Sequence, residues 1–402
     1  MARYSGGAPR GCRPVGRPEE APRIQADRPL SSSTGPPSVR AGRHHQETPM
    51  SFHGILDLSG KTAFVRPGYR PEPDDVALPL SLVRKHKLRP GDEITGTTEE
   101  ITSVNGADPG EPRPCFADLV PIHPERRLLL ETTPTRLLPR VIDLVTPLGR
   151  GQRALVVSPP KAGKTTVLQE IGHGIAANHP DCRLLVLLAD ERPEEVTELS
   201  RTVRGEVIAS TFDRPPAEHV AVAELAVERA KRLVERGEDV VLLLDSLTRL
   251  GRAYNLSVRP SGRTLSGGVD AAALQPMKRI LGAARNVEGG GSLTIVATAL
   301  VETGSLADTV FFEELKSTGN AELKLDRKTA ERRIFPAVDL AASGTRREEL
   351  LVTPGELAAM REVRRALPGP HAIEQLLDQL RKTGSNAEFL LRVTGAALPQ
   401  AA

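Results

Sequence analysis

Short apolar runs separated by turn residues fill the segment from Phe52 to about Ile122. Their length and the Gly, Pro and Asp residues that bound them are typical of strands rather than helices. The predicted strands are Gly54–Leu58, Thr62–Arg66, Val76–Leu78, Glu93–Gly96 and Cys115–Val120, with a short helix over Leu82–Leu88. About five short strands in so small a segment favour a closed β-barrel, and residues 52–122 are assigned to such a domain.

From Val141 onward the pattern changes to apolar strands that alternate with longer amphipathic segments. The predicted strands are Ala154–Val157, Arg183–Ala189, Val240–Leu244 and Leu293–Ala299, and the predicted helices are Thr165–Ile175, Pro193–Val203, Ala217–Arg236 and a helical C-terminus. This order predicts an α/β domain over residues 141–402, with a mostly parallel sheet covered by helices on both faces. Residues 123–140, with several Pro and Arg, are interpreted as a linker.

Residues 1–51 are rich in Pro, Gly, Ser and Arg and contain almost nothing to bury. Such a segment cannot offset the entropy of ordering its backbone, so a disordered basic tail is predicted. The tail is either an arm that touches RNA, a solvated segment, or upstream sequence that is not translated. The last alternative arises because Met50 stands immediately before the first patterned segment.

Composition limits the classes of protein that need to be considered. The net charge of +3 is nearly neutral for 402 residues, so any nucleic-acid footprint must come from local patches. Cys12, Cys115 and Cys182 are too few and too scattered for a disulfide framework or a metal site, which favours a reducing, cytoplasmic setting. Since no apolar run approaches the roughly 18 residues of a membrane span, no membrane partner and no signal peptide are expected.

The segment Ser158–Thr165 reads Ser-Pro-Pro-Lys-Ala-Gly-Lys-Thr and stands between a predicted strand and a predicted helix. A loop of this kind cradles phosphate with its backbone N–H groups and the helix N-terminus. Lys164 then reaches the β- and γ-phosphates and the Thr165 hydroxyl holds Mg²⁺. The strict pattern has Gly where Ser158 stands, but the position needs only a small residue. The sequence therefore predicts binding of ATP or another nucleoside triphosphate.

Two acidic residues follow apolar strands in this domain. Asp245 ends the strand that begins at Val240, where a carboxylate beside the phosphate loop can organise the Mg²⁺ shell. Glu191 follows the strand that begins at Arg183 and can polarise the water that attacks the γ-phosphate. The alternatives are a capping Asp in the first case and helix-start acids stabilised by the helix dipole in the second.

Six motifs together resemble the family of the bacterial transcription termination factor Rho. The motifs are Gly149–Arg153, Ser158–Thr165, Asp190–Glu198, Asp245–Arg249, Leu265–Asp270 and Gly282–Val287. The resemblance covers about residues 52–395 and is dense from Val141 onward. It implies a RecA-like P-loop ATPase domain of a homohexamer, preceded by a small RNA-binding barrel of OB or cold-shock type.

The resemblance also implies roles for individual residues. The nucleotide contacts would be Ser158, Pro159, Pro160, Lys161, Ala162, Gly163, Lys164, Thr165 and Thr166, with Phe335 against the adenine. Glu191 would activate water, Thr165 and Asp245 would hold Mg²⁺, and Arg346 would be given to the neighbouring subunit, with Arg333 near the same interface. From sequence alone, a loop arginine such as Arg346 is more simply read as solvated.

Two further loops would line the central channel and grip single-stranded RNA. Tyr254–Ser266 resembles the first loop, with Arg259 and Arg263 available to phosphates, and Val301–Asp308 resembles the second. The family usually places a lysine where this chain has Leu306, and leucine cannot contact a phosphate electrostatically. The affinity of the channel loops for RNA, or the coupling of RNA binding to ATP hydrolysis, is therefore expected to differ from that of other family members.

The barrel departs from the family more than the ATPase domain does. Phe64 and Arg66 are kept as RNA contacts, whereas Thr62 and Ala77 stand where aromatic residues are expected. Bases of single-stranded RNA stack on such aromatics, each stack contributing roughly 1–3 kcal/mol. Tyr69 and Phe116 are the nearby candidates to compensate, and either one alternatively belongs to the core. RNA loading is expected to be weaker and less base-selective.

These inferences predict an RNA-stimulated ATPase that works as a hexameric translocase or helicase and terminates transcription by acting on nascent RNA and the RNA polymerase elongation complex. A second interpretation keeps the hexameric ATPase but gives it another substrate, such as a protein or DNA. A third is an RNA-binding assembly protein whose ATP site only stabilises the ring. Lys164, Glu191, Asp245 and Arg346 argue against the third, because a structural nucleotide site needs no water-activating carboxylate.

Overall fold

A computed structural model of the chain describes residues 50–395. Apart from its last two residues, the predicted tail of residues 1–51 lies outside this range, and Ser51 already begins the first strand. No helix within residues 50–395 combines the length and the apolar character needed to cross a membrane.

The N-terminal domain is a small antiparallel barrel. It contains β1 (Ser51–Ser59), β2 (Thr62–Arg66), β3 (Val76–Ala77), β4 (Glu93–Thr97) and β5 (Ile101–Val104), with α1 (Leu80–Lys85) between β3 and β4. The strand order is β3-β2-β1-β4-β5. The long strand β1 pairs with β4 through its first half and with β2 through its second half, and Ile55 takes part in both ladders. Leu56 and Ile94 are fully buried at the centre of its core.

Two details of the predicted barrel are wrong. Cys115–Val120 is not a strand, because a short 3-10 helix covers Phe116–Asp118. The fifth strand is instead Ile101–Val104, of which only the two end residues are buried. Such a short strand has too little apolar periodicity to be recognised from its sequence.

The second domain is built on a large mixed sheet and two small β-ribbons. The strands of the large sheet are β6 (Pro121–Ile122), β9 (Arg153–Ser158), β10 (Arg183–Glu191), β11 (Glu206–Thr211), β12 (Asp239–Asp245), β15 (Arg285–Val287), β16 (Ser292–Leu300), β17 (Ala321–Lys324) and β18 (Gly344–Thr345). The ribbons pair β7 (Arg127–Leu128) with β8 (Leu148–Gly149), and β13 (Thr264–Leu265) with β14 (Val269–Asp270). The order β11-β10-β12-β16-β9-β17-β18 is parallel except for its last strand. The prediction of a mostly parallel sheet is confirmed.

Helices cover both faces of this sheet, as predicted. They are α2 (Leu137–Val145), α3 (Lys164–Asn178), α4 (Pro193–Thr202), α5 (Pro216–Glu235), α6 (Leu247–Ser257), α7 (Ala271–Gly282), α8 (Leu306–Lys316), α9 (Arg327–Glu331), α10 (Pro354–Ala366), α11 (Ala372–Leu380) and α12 (Asn386–Val393). Successive residues of β10 alternate between two cores: Val186 packs with α2, α3 and the C-terminal helices, whereas Leu185 and Leu187 pack with α5, α6 and α7. This alternation follows from the period of a strand.

The segment 123–140, interpreted from the sequence as a linker, is instead part of the packed core. Leu128 and Leu130 are fully buried in the same cluster as α2 and α3. β7 pairs with β8, and the carboxylate of Asp143 accepts hydrogen bonds from the backbone N–H groups of Leu130 and Glu131. The several prolines and arginines therefore mark an irregular path across the domain rather than a flexible connection.

The barrel is fixed to helix α5 and strand β11 of the second domain. The Tyr69 hydroxyl donates to the Glu206 carboxylate at 2.8 Å, and the backbone N–H of Phe116 donates to Glu235 at 2.7 Å. Arg229 donates to the Asn105 side chain at 2.8 Å. Tyr69 and Phe116 both join the core that contains α5, so they are interface residues and do not replace the missing stacking aromatics.

A substitution at Gly91 tests the packing of the barrel against α5, because the φ of +80° at this position and its close approach to α5 both require glycine. A Cβ added there would lie 2.4 Å from the backbone nitrogen of Arg229. Gly91→Ala should therefore lower the unfolding midpoint in urea well beyond Gly60→Ala. Gly60 also has a positive φ, of +65°, but open space around it, so its substitution carries only the left-handed backbone cost of about 1–2 kcal/mol. Equal effects of the two variants would contradict the close packing.

Candidate nucleotide site and nucleic-acid surfaces

The phosphate loop joins β9 to α3 with the geometry that its sequence predicts. Gly163 precedes the first helical residue with φ of 99°, and Lys161 also adopts a positive φ of 66°. Ser158, where the strict pattern has glycine, is fully buried and its hydroxyl donates to the carbonyl oxygen of Pro159 at 2.9 Å. A serine is accommodated there because its only polar group is satisfied within the loop.

A cavity of about 860 Å³ opens beside this loop. It is lined on one side by the phosphate-loop residues Lys161, Ala162, Gly163, Lys164, Thr165 and Thr166, and elsewhere by Glu191, Arg249, Phe335 and residues near the start of α2. Phe335 lies at the edge of the cavity and is 48% exposed, so an aromatic base can stack on its ring. The structure thus brings together the predicted phosphate loop, the predicted water-activating carboxylate and the predicted adenine contact.

The charged centre of the cavity is one ammonium group between two carboxylates. Lys164 Nζ lies 2.9 Å from Glu191 Oε1 and 2.5 Å from Asp245 Oδ1. Both acidic residues are only 1% exposed. Burial lowers the pKa of Lys164, but the attraction of Asp245 and Glu191 outweighs it and the net shift is upward. Lys164 is therefore held firmly in its charged form.

Adjacent parallel strands place these two carboxylates together. β10 carries Glu191 at its carboxyl end, and its neighbour β12 carries Asp245 at the same edge of the sheet. Thr298 on the next strand, β16, donates its hydroxyl to Asp245 Oδ1 at 2.8 Å. Ligand sites form at this edge of open α/β sheets because the strand ends and the helix N-termini converge there.

The site fits a divalent cation such as Mg²⁺. The second oxygen atoms of Glu191 and Asp245, Oε2 and Oδ2, are buried without a hydrogen-bond partner among the described residues. The Thr165 side chain lines the same cavity. A hydroxyl and a carboxylate oxygen are the ligands that Mg²⁺ uses at a phosphate loop. Asp245 and Thr165 are thus the residues suited to hold the ion.

Arg249 belongs to the site, although the sequence reasoning gave it no role. Its Nε lies 3.2 Å from Glu191 Oε1, and its Nη1 donates to the backbone carbonyl of Asp190 at 2.5 Å. Arg249 lies in the first turn of helix α6. Ser246 caps this helix, because its hydroxyl oxygen accepts a hydrogen bond from the backbone N–H of Arg249. The sequence does contain a signal for this role, because Arg249 is the last residue of the Asp245–Arg249 motif and follows the end of the strand by one helical turn.

The two arginines predicted at a subunit boundary do not reach the Lys164 site of their own chain. Arg346 is exposed and borders a separate cavity of about 320 Å³ next to Asn320. Its backbone N–H donates to the Asn320 carbonyl at 2.8 Å. Arg333 is exposed as well, in a left-handed backbone conformation with φ of 63°. Their role in catalysis stays a prediction that requires a second copy of the chain.

The two predicted channel loops meet in the structure. Gly267 follows the first loop, and a Cβ added to it would lie 2.4 Å from the backbone nitrogen of Ala307 in the second. Arg259 and Arg263 are exposed on the first loop. Leu306, at the start of α8, is 68% exposed. The adjacent loops present two cations and one large apolar side chain to solvent, and their contact with RNA stays a prediction.

On the barrel, the structure separates the predicted roles of Phe64 and Arg66. Phe64 is half-buried on β2 and lies outside the barrel core, with the Arg66 guanidinium carbon 5.9 Å from its ring centre. Arg66 is only 6% exposed and forms ion pairs with Asp57 at 2.6 Å and Asp75 at 2.5 Å. The Arg66 guanidinium is therefore already engaged by two carboxylates, and its contact with RNA stays a prediction.

Comparison with known proteins agrees with both halves of the fold. The sequence model described as ATP synthase alpha/beta family, nucleotide-binding domain, matches residues 139–345, and that described as Rho termination factor, RNA-binding domain, matches residues 52–109. A transcription termination factor Rho from Streptosporangium roseum is 56% identical over 369 residues, covering 89% of this chain and 95% of the relative. The chain belongs to the Rho family. The resemblance drawn from the motifs is confirmed.

Other members of the Rho family are longer. The Mycobacterium bovis transcription termination factor Rho is 58% identical over 365 residues, which cover 85% of this chain but 61% of the relative. The Mycobacterium leprae protein of the same name is 58% identical, with 60% of its length covered. This chain thus spans about three fifths of the length of these curated relatives.

Solved structures of two type III secretion ATPases share the fold. A prototypical ATPase of that system from pathogenic bacteria superimposes with a TM-score of 0.58 at 22% identity, covering 69% of this chain and 86% of that chain. The assembled ATPase EscN of enteropathogenic E. coli gives a TM-score of 0.56 at 18% identity, covering 85% of this chain and 100% of that chain. At these identities the likeness concerns the fold, and the predicted P-loop ATPase domain preceded by a small barrel is confirmed.

Phe64 provides the test of the barrel as an RNA-loading surface. Phe64→Ala should weaken binding of single-stranded pyrimidine RNA by about 1–3 kcal/mol, since one stacking surface is lost. The barrel melting transition should change little, because Phe64 lies outside the core. Thr62→Phe should tighten RNA binding, since Thr62 is exposed on the same strand.

Val65→Ala is the matched control, because Val65 neighbours Phe64 on β2 but is 1% exposed in the core. It should lower the melting temperature. If Phe64→Ala destabilises the barrel as much as Val65→Ala, or leaves RNA affinity unchanged, Phe64 is not a loading residue.

Proposed function

We propose that the chain is an RNA-dependent ATPase that acts as a ring-shaped translocase or helicase and terminates transcription by pulling on nascent RNA. The observation that carries the proposal is the Lys164 ammonium held between the buried carboxylates of Glu191 and Asp245 at the floor of the cavity that Phe335 borders. Membership of the Rho family supports RNA as the polymer that stimulates it.

Hydrolysis in this site would require Lys164 to exchange its two carboxylate partners for the phosphate oxygens of ATP. Lys164 is positioned to leave the two carboxylates and meet the β- and γ-phosphate oxygens of ATP. Its departure frees Glu191 to accept a hydrogen bond from the attacking water and to align that water with the γ-phosphorus. Asp245 and Thr165 would hold Mg²⁺, which supplies positive charge to the phosphate oxygens. Arg249 keeps Glu191 oriented during this exchange.

The proposal requires a ring of identical subunits, which we take to be a homohexamer. Arg346, and Arg333 near it, are then supplied to the nucleotide of the neighbouring subunit, where a guanidinium stabilises the charge that spreads over the transferring phosphoryl group. The exposure of both arginines, away from the cavity of their own chain, supports this arrangement.

RNA is proposed to contact the barrel through Phe64 and the channel through Arg259 and Arg263. The RNA polymerase elongation complex is the proposed target of the resulting force, and this role implies a cytoplasmic location. A second candidate is a ring ATPase of the same fold that acts on another polymer. The exposed Thr62, Ala77 and Leu306 favour it, since none of them offers a stacking ring or a cation to RNA.

The decisive experiment is the ATPase rate of the purified chain with and without single-stranded RNA of defined base composition. Stimulation by RNA but not by DNA of the same sequence is expected. Glu191→Gln should bind a fluorescent ATP analogue normally while its turnover falls by about 10²-fold or more, since shape is kept and water activation is lost. ATP hydrolysis without RNA stimulation would favour the second candidate, and normal turnover of Glu191→Gln would contradict the role of Glu191.

The shared site is tested by mixing two inactive variants. Arg346→Ala should assemble and bind ATP but hydrolyse it poorly, and Lys164→Ala should lose the phosphate contact. Rings that contain both should recover part of the activity, because some interfaces then pair an intact phosphate loop with an intact arginine. Native mass spectrometry verifies that the rings are mixed. Mixed rings without recovered turnover would contradict a site completed between subunits.

A further inference from the structure

A buried histidine on α5 approaches Asp190, the residue before the candidate catalytic Glu191. His219, in the first turns of α5, is 4% exposed. Its Nδ1 lies 2.7 Å from the Ser210 hydroxyl oxygen on β11, and its Nε2 lies 3.9 Å from Asp190 Oδ1. His219 is not among the residues that line the nucleotide cavity. Neither the motifs nor the proposed chemistry gives this residue a task.

Asp190 occupies an unusual place in the strand that carries Glu191. Its φ is 59°, a left-handed conformation that residues with a Cβ seldom adopt. The pairing of β10 with β11 shifts at this point, since Ala189 is opposite Ser210 and Glu191 is already opposite Thr211. The bulge at Asp190 therefore sets the direction in which the Glu191 side chain leaves the sheet.

Such a conformation persists only where surrounding groups hold it. Arg249 holds Asp190 from the side of the nucleotide cavity, through its hydrogen bond to the Asp190 carbonyl and a 3.6 Å approach to Oδ2. His219 approaches the other carboxylate oxygen, Oδ1, from α5. Beyond the bulge, the backbone N–H of Phe212 donates to the Glu191 carbonyl at 3.1 Å.

The charge and tautomer of His219 follow from its surroundings. Burial lowers its pKa, although Asp190, Glu218 and Asp213 oppose the shift, so the ring is neutral at pH 7. A neutral imidazole has one N–H and one bare nitrogen. A bare Nε2 would turn its lone pair toward the Asp190 carboxylate, which is unfavourable. The stable arrangement has the proton on Nε2 and the Ser210 hydroxyl donating to Nδ1.

We propose that His219 is a positioning residue for ATP hydrolysis: its Nε2–H, fixed by Ser210, holds the carboxylate of Asp190 opposite Arg249 and thereby keeps the bulge that aims Glu191 at the attacking water. The inference rests on the proposed ATPase function and adds to it a control of Glu191 from helix α5, through Asp190. Its influence is electrostatic, because 3.9 Å is too long for a direct hydrogen bond.

The three residues do not form a serine-hydrolase triad, in spite of their chemical identities. Ser210 is fully buried between β11 and α5, where no substrate carbonyl can approach its hydroxyl. Activation of a serine also requires the histidine to take the hydroxyl proton while a carboxylate holds its other nitrogen at hydrogen-bond distance. The contact to Asp190 is too long for that, so the arrangement serves position and not nucleophilic attack.

Two substitutions distinguish positioning from simple core packing. The amide nitrogen of glutamine can replace Nε2–H, whereas asparagine reaches only as far as Nδ1 and can replace only the contact with Ser210. His219→Asn should lower kcat by about 10- to 100-fold with the dissociation constant of a fluorescent ATP analogue unchanged, since a small misplacement of a reacting group is costly. His219→Gln, combined with Ser210→Ala so that no hydroxyl is left unpaired, should retain most of the turnover.

A double-mutant comparison shows whether the effect passes through Glu191. In the Glu191→Gln background, His219→Asn should cause little further loss, because the group that it positions is already absent. Circular dichroism melting of each variant verifies the fold. Equal losses in the Asn and Gln variants, or an undiminished kcat in His219→Asn, would overturn the positioning role. Absence of ATP turnover in the unmodified chain would instead contradict the proposed function on which it rests.

Discussion

The placement of a single ammonium group between two buried carboxylates governs the candidate site. Burying a charge costs several kcal/mol unless it is paired, so Lys164 offsets much of the cost of burying Glu191 and Asp245 at their strand ends. The three residues come from α3, β10 and β12, and their attraction therefore ties together the phosphate loop and two neighbouring strands. Arg249 adds a second cation on the Glu191 side.

The same arrangement explains why the site suits a polyphosphate together with a metal ion. Lys164 can be drawn toward phosphate only if another cation compensates the carboxylates that it leaves. Asp245 and Glu191 each keep one buried oxygen atom without a hydrogen-bond partner in the described part of the chain, and these atoms are available to a metal ion and to a water molecule. Binding of the nucleotide and binding of the ion are thus expected to support each other.

The barrel is joined to this centre by a short structural route. β11 begins at Glu206, which accepts the Tyr69 hydroxyl of the barrel, and ends at Thr211, which lies opposite Glu191. Ser210, one residue before that end, contacts His219. One strand therefore touches the barrel at one end and the strand that carries Glu191 at the other. The polar interface along α5 makes the two domains a single packed unit within residues 50–395.

The sequence predicted the parts of the fold that consist of continuous apolar runs. β9, β10, β12 and β16 lie within two residues of their predicted bounds, because strands buried on both faces leave an unmistakable apolar pattern. The phosphate loop, Glu191 and Asp245 were located by their positions relative to those strands. The remainder depends on long-range packing: Leu128 and Leu130 look like linker residues until α2 and α3 cover them, and nothing local shows that Arg66 lies between Asp57 and Asp75.

Burial also explains where this chain departs from the family pattern. Lys164, Glu191 and Asp245 are buried and each contacts at least two other polar groups, so a substitution at any of them disturbs several interactions at once. Thr62, Ala77 and Leu306 are exposed, and substitution of an exposed residue seldom changes stability by more than about 0.5 kcal/mol. The fold therefore constrains the buried charged site strongly and the exposed positions weakly. The cluster of Lys164, Glu191 and Asp245 can thus be kept while the exposed residues of the barrel and of the start of α8 change.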